Sequence, residues 1–534
     1  MLFGLALDPV WEAALRWVVT AAYLAVVAAI CLYGAHRYRM VLLFCRCVRQ
    51  LTRPKRRFAQ LPRVTVQVPL YNEAVVAERI IDAACLLDYP RDRLQVQVLD
   101  DSTDASIHTV RARVEQWRER GLDIELLHRD DRTGYKAGAL AAAMASATGE
   151  FIAIFDADFV PRPGFLRRTI HHFTDAAVGM VQTRWAHLNR DDSLLTRGQA
   201  IFLDGHFVIE HTARNRSGAW INFNGTAGVW RREAIEAAGG WQHDTLTEDV
   251  DLSYRAQLAG YRFVFLPRYT CPAELPPQIN AFKTQQHRWT KGSIQTAMKI
   301  LPRLLRQRLP LRVKAEAFFH LTSPIVYLLI VIFTLLMYPV MALNLDAVGR
   351  DTWVGLLLGT TMFGLGTASA AVFYLASQHA QHRSRWQTLL QVPVLMALGV
   401  GIAVYNAIAC LEALLGHQTG FVRTPKYNRS GETAHAGAES TEDDGGARPA
   451  ASWLRLPPLK LTTCFLELAL GLYVVACVDL AARQWSTAGA LPFLAIFAVG
   501  YLAVGASSLV IHARRWMPAR PRSWGRRALG AAPA

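Results

Sequence analysis

Four polar motifs follow one another along this chain, and together their side chains could carry out one metal-assisted reaction. They are Asp100-Asp101, Asp156-Ala157-Asp158, Thr247-Glu248-Asp249 and Gln285-x-x-Arg288-Trp289. Two carboxylates that are two residues apart on an extended segment point to the same side, where they could share a divalent cation with a diphosphate. A carboxylate on the first turn of a helix could accept a proton, and an arginine could neutralise charge on a leaving group. The types and order of these residues therefore predict a catalytic site.

Each motif also has an ordinary structural interpretation. Acidic residues after a strand often form turns or helix caps, and the tripeptide that begins at Thr247 is a usual start for a helix. Lys136, in the string GYKAG, could be a solvated residue at a helix start or a cation beside a diphosphate at a helix N-terminus. The helical face that carries Arg288 is also typical of an amphipathic helix at a membrane surface. The motifs favour catalysis as an ordered set rather than one by one.

Short apolar strands alternate with helical segments in the first part of the chain. Strands are predicted at 64–68, 94–99, 124–128 and 151–155, and helices up to 87 and at 105–120 and 136–147. Such alternation predicts a mostly parallel sheet covered by helices. Ligands of these sheets bind at the carboxyl ends of the strands, and Asp100 and Asp156 directly follow two of them. Their position is an independent reason to assign them a functional role.

The composition places this α/β segment inside a membrane protein. The chain has 534 residues, of which 52% are hydrophobic, and its mean hydropathy is +0.16. The apolar excess lies outside about residues 60–300, so a soluble domain is predicted between membrane segments. The formal net charge is +16, but the basic residues lie beside the apolar runs, as in cytoplasmic loops of membrane proteins. This distribution argues against a nucleic-acid-binding protein.

Five apolar segments are long enough to cross a membrane, since a crossing needs about 20 residues. They cover residues 18–33 with their flanks, 317–345, 353–377, 461–480 and 491–511. A further segment, 389–415, contains interruptions such as Pro393 and Glu412, and basic residues flank both of its ends. Because both ends are then expected on the cytoplasmic side, we predict an interfacial or re-entrant segment, with six full crossings as the alternative. The first span is expected to be an anchor rather than a removed signal peptide.

These features divide the chain into five parts. They are an N-terminal transmembrane helix with a basic segment (1–58), a cytoplasmic catalytic domain (59–300), transmembrane helices with the re-entrant segment (301–429), a polar linker (430–452), and two transmembrane helices with a basic tail (453–534). The linker is rich in small and polar residues, a composition typical of disorder. The eight cysteines lack the spacing of a zinc site, so a reducing environment is expected.

Longer strings around the motifs resemble a known enzyme family. The strings are LDDSTD (99–104), GYKAGAL (134–140), FNGTAG (223–228), TLTEDVDLS (245–253) and QQHRW (285–289). In this combination the chain resembles the processive inverting family-2 glycosyltransferases, which include the cellulose, chitin and hyaluronan synthases. The strings look most like the plant cellulose-synthase-like mannan and glucan synthases and their bacterial relatives. The resemblance covers about residues 60–430.

The resemblance implies a fold and a set of residue roles. The fold is an α/β domain of the glycosyltransferase A type with a mostly parallel sheet, inserted in an α-helical transmembrane protein. Contacts to a UDP- or GDP-hexose donor are implied for Tyr71, Glu73, Asp100, Asp101, Lys136 and Asp156. Asp156 and Asp158 would hold Mg²⁺ or Mn²⁺ on the diphosphate. Asp249 would be the general base, with Glu248 beside it, and Arg288 would steady the departing diphosphate.

The resemblance also implies how the acceptor is held and covered. The growing polysaccharide would contact Asn224, Gly225, Gln285 and Trp289, with Trp289 stacked on the acceptor sugar. The string FVRTPK resembles the gating loop of the family and supplies Phe421, Thr424 and Lys426. Its pattern departs from that of the family, because Arg423 stands where valine is expected. A gating loop must lie on the cytoplasmic side, which also supports the re-entrant interpretation of 389–415.

The function implied by this resemblance is the polymerisation of a nucleotide-activated hexose into a β-linked mannan, glucomannan or glucan. The enzyme would lie in the plasma (inner) membrane with its catalytic domain in the cytoplasm, and would pass its product across the lipid bilayer. One alternative is a transferase that adds a single sugar to a lipid, like the ceramide glucosyltransferases, and another is a transporter or channel. The short tail after the last span gives no expectation of a cyclic-di-GMP-binding domain. The choice between UDP-glucose and GDP-mannose as the donor stays open.

Overall fold

A seven-stranded sheet forms the centre of the soluble domain in the computed structural model, which describes residues 8–50, 52–343, 360–417, 458–483 and 489–516, together with Gly420, Lys426 and Asn428. The strands are β1 Val64–Leu70, β2 Leu94–Asp100, β3 Asp123–His128, β4 Phe151–Ile154, β5 Val178–His187, β6 Gly228–Arg231 and β7 Arg262–Ala273. Their order across the sheet is β3-β2-β1-β4-β6-β5-β7. Strand β6 runs antiparallel to β4 and β5, and the other neighbours are parallel. The predicted mostly parallel α/β sheet is confirmed, with β5, β6 and β7 added to the four predicted strands.

Polar side chains pair inside the sheet at its central strands. The first five positions of β1 are all buried, including Thr65 and Gln67. The Thr65 hydroxyl donates to Gln95 Oε1 (2.7 Å), and Gln67 Nε2 donates to Gln97 Oε1 (2.9 Å). The alternating string VTVQV suggests a strand with one face in water, but these cross-strand bonds allow both faces to be buried, since buried polar groups need partners.

Helices cover both faces of this sheet. In chain order they are α1 Pro9–Cys47, α2 Ala74–Cys85, α3 Ser106–Glu119, α4 Tyr135–Ala143, α5 Phe165–Thr169, α6 Leu194–Asp204, α7 Thr212–Arg216, α8 Arg232–Ala237, α9 Glu248–Leu258 and α10 Ile279–Arg306. Short 3-10 helices cover Arg91–Arg93 and Ile170–Thr174, and a π-helix, Gly205–His211, joins α6 to α7. Apolar residues of the sheet pack against α2 and α3 on one face and against α4, α6 and α9 on the other. The predicted helices at 105–120 and 136–147 correspond to α3 and α4.

The remaining helices are long and mostly apolar. They are α11 Leu311–Thr322, α12 Ile325–Ala342, α13 Ser369–Ala380, α14 Arg385–Gly401, α15 Ala403–Leu414, α16 Pro458–Arg483 and α17 Leu491–Trp516, with a π-helical turn at Gly364–Ala368. Within the described part of the chain, four helical segments are long and apolar enough to cross a membrane, namely Pro9–Cys47, Ile325–Ala342, Leu461–Arg483 and Leu491–Ala513. They coincide with four of the five predicted spans.

Two of the predicted membrane segments differ in detail from the structure. The span predicted from 317 is divided, because Pro324 lacks the backbone N–H that a continuous helix needs, so α11 ends at Thr322 and α12 begins at Ile325. The span predicted at 353–377 lies partly outside the described residues, and the linker 430–452 lies wholly outside them.

The segment 389–415 forms two helices rather than one. Helices α14 and α15 meet at an angle of 44°. This bend fits a broken span and a re-entrant segment equally, so the predicted re-entrant course stays a prediction.

Helix α10 connects the domain to the apolar helices α15 and α16 through two ion pairs. Lys283 Nζ lies 2.7 Å from Glu467 Oε1 on α16, and Lys291 Nζ lies 2.8 Å from Glu412 Oε2 on α15. Both lysines are buried. Since Arg288 and Trp289 lie between these lysines, their position is fixed relative to α15 and α16.

Candidate active site

Strand pairing brings the first two acidic motifs to one edge of the sheet. Asp100 is the last residue of β2, and Asp156 follows β4, with β1 between the two strands. The Asp100 side chain is completely buried, and its Oδ1 accepts the Ser102 backbone N–H at 3.1 Å. A cavity of about 540 Å³ adjoins this strand end and is lined by residues 102–105, Ile107, His108 and 128–130. The edge therefore has a cavity for a ligand, with the buried Asp100 carboxylate next to its lining residues.

Asp101 is engaged by an arginine that sequence reasoning missed. Arg129 donates from Nε (2.8 Å) and Nη2 (2.6 Å) to the two carboxylate oxygens of Asp101. The same guanidinium donates to the backbone oxygen of Tyr135, the first residue of α4. Asp101 thus holds the start of the helix that carries Lys136 through Arg129. Because both of its carboxylate oxygens are used in this way, a positioning role suits Asp101 better than direct contact with the sugar donor.

The loop after β1 places Tyr71 beside a second arginine. The Arg132 guanidinium lies 3.3 Å from the centre of the Tyr71 ring and 5.0 Å from that of Tyr135. Asn72, with a positive φ of 50°, accepts the Thr103 backbone N–H at 2.9 Å, which ties this loop to the one after β2. Glu73 directly precedes α2. These loops form one side of the edge where Asp100 lies.

Lys136 joins the second acidic motif to the FNGTAG string. Its Nζ donates to Asp156 Oδ1 (2.5 Å) and to the Gly225 backbone oxygen (2.8 Å), and the Asp156 N–H donates to Thr226 Oγ1 (2.9 Å). Burial by itself lowers the pKa of Lys136, but the neighbouring carboxylates, with Asp156 first, raise it above its ordinary value. A permanently charged ammonium at this position can neutralise a diphosphate.

Gly225 lies beside both Lys136 and Asp249. A Cβ on Gly225 would lie 3.1 Å from Asp249 Oδ2 and 3.5 Å from Lys136 Nζ, and its φ of +80° also disfavours a side chain. The close approach of backbone and carboxylate therefore requires glycine.

Asp249 has the properties of a base that works near neutral pH. It lies on the first turn of α9, and its Oδ1 accepts the Val250 N–H at 2.8 Å. Burial raises the pKa of Asp249 and the adjacent Glu248 raises it further, whereas Lys136 lowers it, which gives a pKa of about 7. A catalytic base is most effective when its pKa is close to the operating pH.

Helix α10 brings Arg288 to the same carboxylates. Burial lowers the pKa of the Arg288 guanidinium, opposed by a group of carboxylates that comprises Glu248, Asp156, Asp249 and Asp158. One residue further, the partly buried Trp289 ring lies 6.4 Å from that of Trp185, and Gln285 is also partly buried. The fourth motif therefore converges with the second and third.

The Asn224 side chain is held from inside the protein. Its Oδ1 lies 3.0 Å from His206 Nε2 and 3.2 Å from Asn222 Nδ2, and its Nδ2 lies 2.9 Å from His211 Nε2. These contacts use most of the hydrogen-bonding capacity of the Asn224 amide. Of the two residues predicted to contact the growing polysaccharide at this string, Gly225 is therefore the stronger candidate.

Lys426 is the described member of the predicted gating residues, while Phe421 and Thr424 lie outside the described residues. Its Nζ lies 2.7 Å from Asp158 Oδ1. Two residues later, Asn428 Oδ1 accepts from Arg79 Nη1 at 3.0 Å. Lys426 therefore contacts the Asp-x-Asp motif, and the gating role of the segment stays a prediction.

The Asp156 and Asp158 pair fits a hard divalent cation. Within the described part of the chain, no three His, Cys, Asp or Glu side chains gather as a complete metal site. Mg²⁺ and Mn²⁺ are commonly held by one or two carboxylates, with water and substrate phosphates as the other ligands. The cation that contacts Asp158 here is the Lys426 ammonium, which indicates that this carboxylate takes a positive partner.

Comparison with known proteins gives a consistent result. A family model described as glycosyltransferase like family 2 matches residues 62–292. Glucomannan 4-beta-mannosyltransferase 1 of Oryza sativa subsp. japonica is 45% identical over 252 residues, which is 46% of this chain and 48% of the relative. Glucomannan 4-beta-mannosyltransferase 2 of Arabidopsis thaliana is 42% identical over 255 residues, 47% of this chain and 48% of the relative. The matched part of the chain thus spans about half the length of these curated relatives.

A solved structure supports the fold. Mannosyltransferase PcManGT from Pyrobaculum calidifontis, in complex with GDP-Man and Mn²⁺, superposes with a TM-score of 0.52 and 23% identity, over 75% of this chain and 100% of that chain. At this identity the likeness concerns the fold alone. The mixed sheet, the acidic residues at its edge and the matched family lead to one conclusion, that residues 62–292 form a glycosyltransferase domain of family 2.

Proposed function

We propose that this chain is a membrane-bound inverting glycosyltransferase that polymerises a nucleotide-activated hexose into a β-linked glycan. The observation that carries the proposal is the position of Asp249. Its carboxylate, whose pKa is about 7, and the Lys136 ammonium, which is bonded to Asp156, both lie close to Gly225. A base and a diphosphate-binding pair are thereby placed beside one small residue.

In the proposed reaction Asp249 takes the proton of an acceptor hydroxyl. The hydroxyl oxygen then attacks the anomeric carbon of the donor, and the bond from that carbon to the diphosphate oxygen breaks. The diphosphate leaves with its electron pair on the opposite side of the carbon. One such displacement inverts the configuration, so an α-linked donor yields a β-linkage.

The donor side of the site supplies positive charge for the leaving group. Lys136 and Arg288 lie among the carboxylates of the site and can neutralise the diphosphate as charge develops on it. A divalent cation held by Asp156 and Asp158 would supply further charge neutralisation on the same oxygens. Asp100, buried behind the cavity-lining residue Ser102, is the candidate for contact with the nucleoside.

GDP-mannose is the proposed donor, and a β-mannan or glucomannan is the proposed product. Two relatives that are 45% and 42% identical over the domain carry the name glucomannan 4-beta-mannosyltransferase. These names favour mannose over the other hexoses.

The helices around the domain support processive synthesis and export. Trp289 lies on α10 between the two ion pairs to α15 and α16, so a polymer that stacks on it would be next to the membrane helices. Lys426 reaches Asp158 from the segment that precedes α16. With basic loops on the cytoplasmic side, the catalytic domain would face the cytoplasm and the product would leave across the membrane.

The decisive experiment incubates the purified protein with Mn²⁺ or Mg²⁺ and each of GDP-mannose, GDP-glucose, UDP-glucose and UDP-N-acetylglucosamine. We expect an insoluble polymer from GDP-mannose that a β-mannanase degrades, and no polymer from the Asp249→Asn variant. A single sugar on a lipid would instead support the non-processive alternative. If no donor were consumed, the proposed function would be wrong.

A further inference from the structure

The π-helix Gly205–His211 places two histidines on one face. In a π-helix the backbone bonds join residues five apart, and such segments are rare and often found at functional sites. His206 and His211 are five residues apart and would point in different directions on an α-helix with 3.6 residues per turn. Here both rings contact Asn224, His206 through Nε2 at 3.0 Å and His211 through Nε2 at 2.9 Å. The change of helix type is what allows both contacts.

The two rings approach opposite ends of one amide. His206 Nε2 faces Asn224 Oδ1, and His211 Nε2 faces Asn224 Nδ2. The other nitrogen of His206 lies 3.2 Å from Glu210 Oε2, so both nitrogens of this ring donate when both are protonated. His211 is completely buried and its Nε2 also lies 3.1 Å from the Asn222 backbone oxygen. A single ring nitrogen cannot accept from Asn224 Nδ2 and donate to the Asn222 oxygen at once, but in either tautomer of His211 one end of the Asn224 amide faces each ring.

Asn224 is followed by the two residues that connect the reaction centre. The Gly225 backbone oxygen accepts from Lys136, and Gly225 lies against Asp249. The Thr226 hydroxyl accepts the backbone N–H of Asp156. A displacement of Asn224 would therefore disturb two parts of the site together, namely the diphosphate-binding groups Lys136 and Asp156 and the base Asp249.

The π-helix is itself anchored by helices outside the domain. Glu210 Oε2 lies 3.1 Å from Arg214 Nη2, Arg214 Nε lies 3.8 Å from Glu316 Oε2 on α11, and Glu316 Oε2 lies 3.0 Å from His36 Nε2 on α1. A Cβ on Gly205 would lie 2.5 Å from the Phe373 ring of α13, so glycine permits that helix to pack on the segment. The π-helix that carries the histidines is thus held in place by α1, α11 and α13.

We infer that His206 and His211 are positioning residues, which clamp Asn224 and thereby hold Gly225 between the base and the diphosphate-binding lysine. Neither histidine needs to contact a substrate for this role. The effect on rate rests on the proposed function, whereas the effect on the order of the loop rests on the contacts alone.

Two measurements on the same variants test the inference. In His206→Ala and His211→Ala, hydrogen–deuterium exchange of peptides covering 222–227 should accelerate about tenfold or more, since the loop loses a partner. The turnover number should fall about 10- to 100-fold, as expected for misplaced catalytic groups. His206→Gln, whose amide can still donate to Asn224, should recover part of both effects.

His172→Ala is the matched control, because His172 is a buried histidine of the same domain in the separate 3-10 helix Ile170–Thr174. If the clamp variants exchange and react like this control, the inference is overturned. If exchange accelerates in the clamp variants but the wild-type protein consumes no sugar donor, the clamp stands and the proposed function fails.

Discussion

Gly292 of helix α10 lies directly against Thr247, the residue that precedes α9. A Cβ at Gly292 would lie 2.5 Å from Thr247 Cγ2 and 2.8 Å from its backbone nitrogen. Two further contacts join these elements, from the Leu246 N–H to Gln295 Oε1 (3.0 Å) and between the hydroxyls of Thr247 and Thr296 (3.2 Å). Since Arg288 lies one turn before Gly292 and Asp249 lies on the first turn of α9, this contact sets the distance between the two groups.

Substitution of Gly292 should therefore impair catalysis more than folding. In Gly292→Ala the added methyl group has no space, so α10 must move away from α9 by some tenths of an ångström or more. We expect transfer activity to fall about tenfold to 100-fold, because small misplacements of catalytic groups are costly. Gly399→Ala is the control, since nothing lies within 4 Å of a Cβ there, and it should retain activity. Equal activity of the two variants would contradict the role given to this contact.

The rate of transfer should depend on the ionisation of Asp249. The base works only when deprotonated, and its pKa is about 7, so kcat/KM should rise with pH up to about pH 7 and level off above it. A rate that is constant from pH 5 to 8 would show that Asp249 does not limit proton removal.

Replacement of Glu248 should shift this profile in a defined direction. The Glu248 carboxylate raises the pKa of Asp249, so Glu248→Gln should move the rise of kcat/KM to lower pH. Lys136 lowers the same pKa, but it also contacts Asp156 and is not a clean probe. Glu236→Gln, a neutralised carboxylate on α8 that is not among the causes of the Asp249 shift, is the matched control and should leave the profile in place.

Lys426 should compete with a divalent cation for Asp158. Their charged atoms lie 2.7 Å apart, so a metal ion that takes this carboxylate must displace the ammonium group. In Lys426→Met, binding of Mn²⁺ without donor, measured by electron paramagnetic resonance, should tighten about fivefold, which corresponds to about 1 kcal/mol. Lys55→Met removes a comparable Lys–Asp pair with Asp175 and should leave Mn²⁺ binding unchanged. Weaker binding in Lys426→Met would show that Lys426 supports the metal instead.

The positions of Asp100 and Asp156 could be predicted because strand ends of a parallel sheet meet at one edge. Asp249 and Arg288 lie on helices that follow the four predicted strands, so the strand pattern does not place them. Their convergence could be expected only because the motifs occur as a set. The contacts that bring them together depend on the absence of a side chain at Gly225 and Gly292. A glycine inside a helix indicates close packing, but the sequence does not reveal its partner.

Other parts of the site have no signal in the pattern of apolar residues. Arg129 and Arg132 lie in a loop outside the recognised strings, and their pairing with Asp101 and Tyr71 depends on how that loop folds back. The π-helix at Gly205–His211 departs from the 3.6-residue period on which helix prediction relies. Local irregularities of this kind are determined by tertiary contacts, here with α1, α11 and α13.

The Lys291–Glu412 pair should fix α10 to helix α15, and its loss should lower the stability of the protein. Lys291 is completely buried, and Glu412 Oε2 lies 2.8 Å from its Nζ and 3.5 Å from His287 Nε2. Glu412→Gln leaves a buried ammonium without its counter-ion, which costs about 3–5 kcal/mol in soluble proteins, whereas replacement of both partners costs much less. We therefore expect the melting temperature in detergent to fall clearly in Glu412→Gln and to recover in Lys291→Met/Glu412→Gln.

Arg483→Ala, which removes an exposed pair with Asp479 on α16, is the control and should melt within about 1 °C of the wild type, since exposed pairs contribute little. If the double variant melted lower than Glu412→Gln, the lysine would have a second role that the ion pair does not explain.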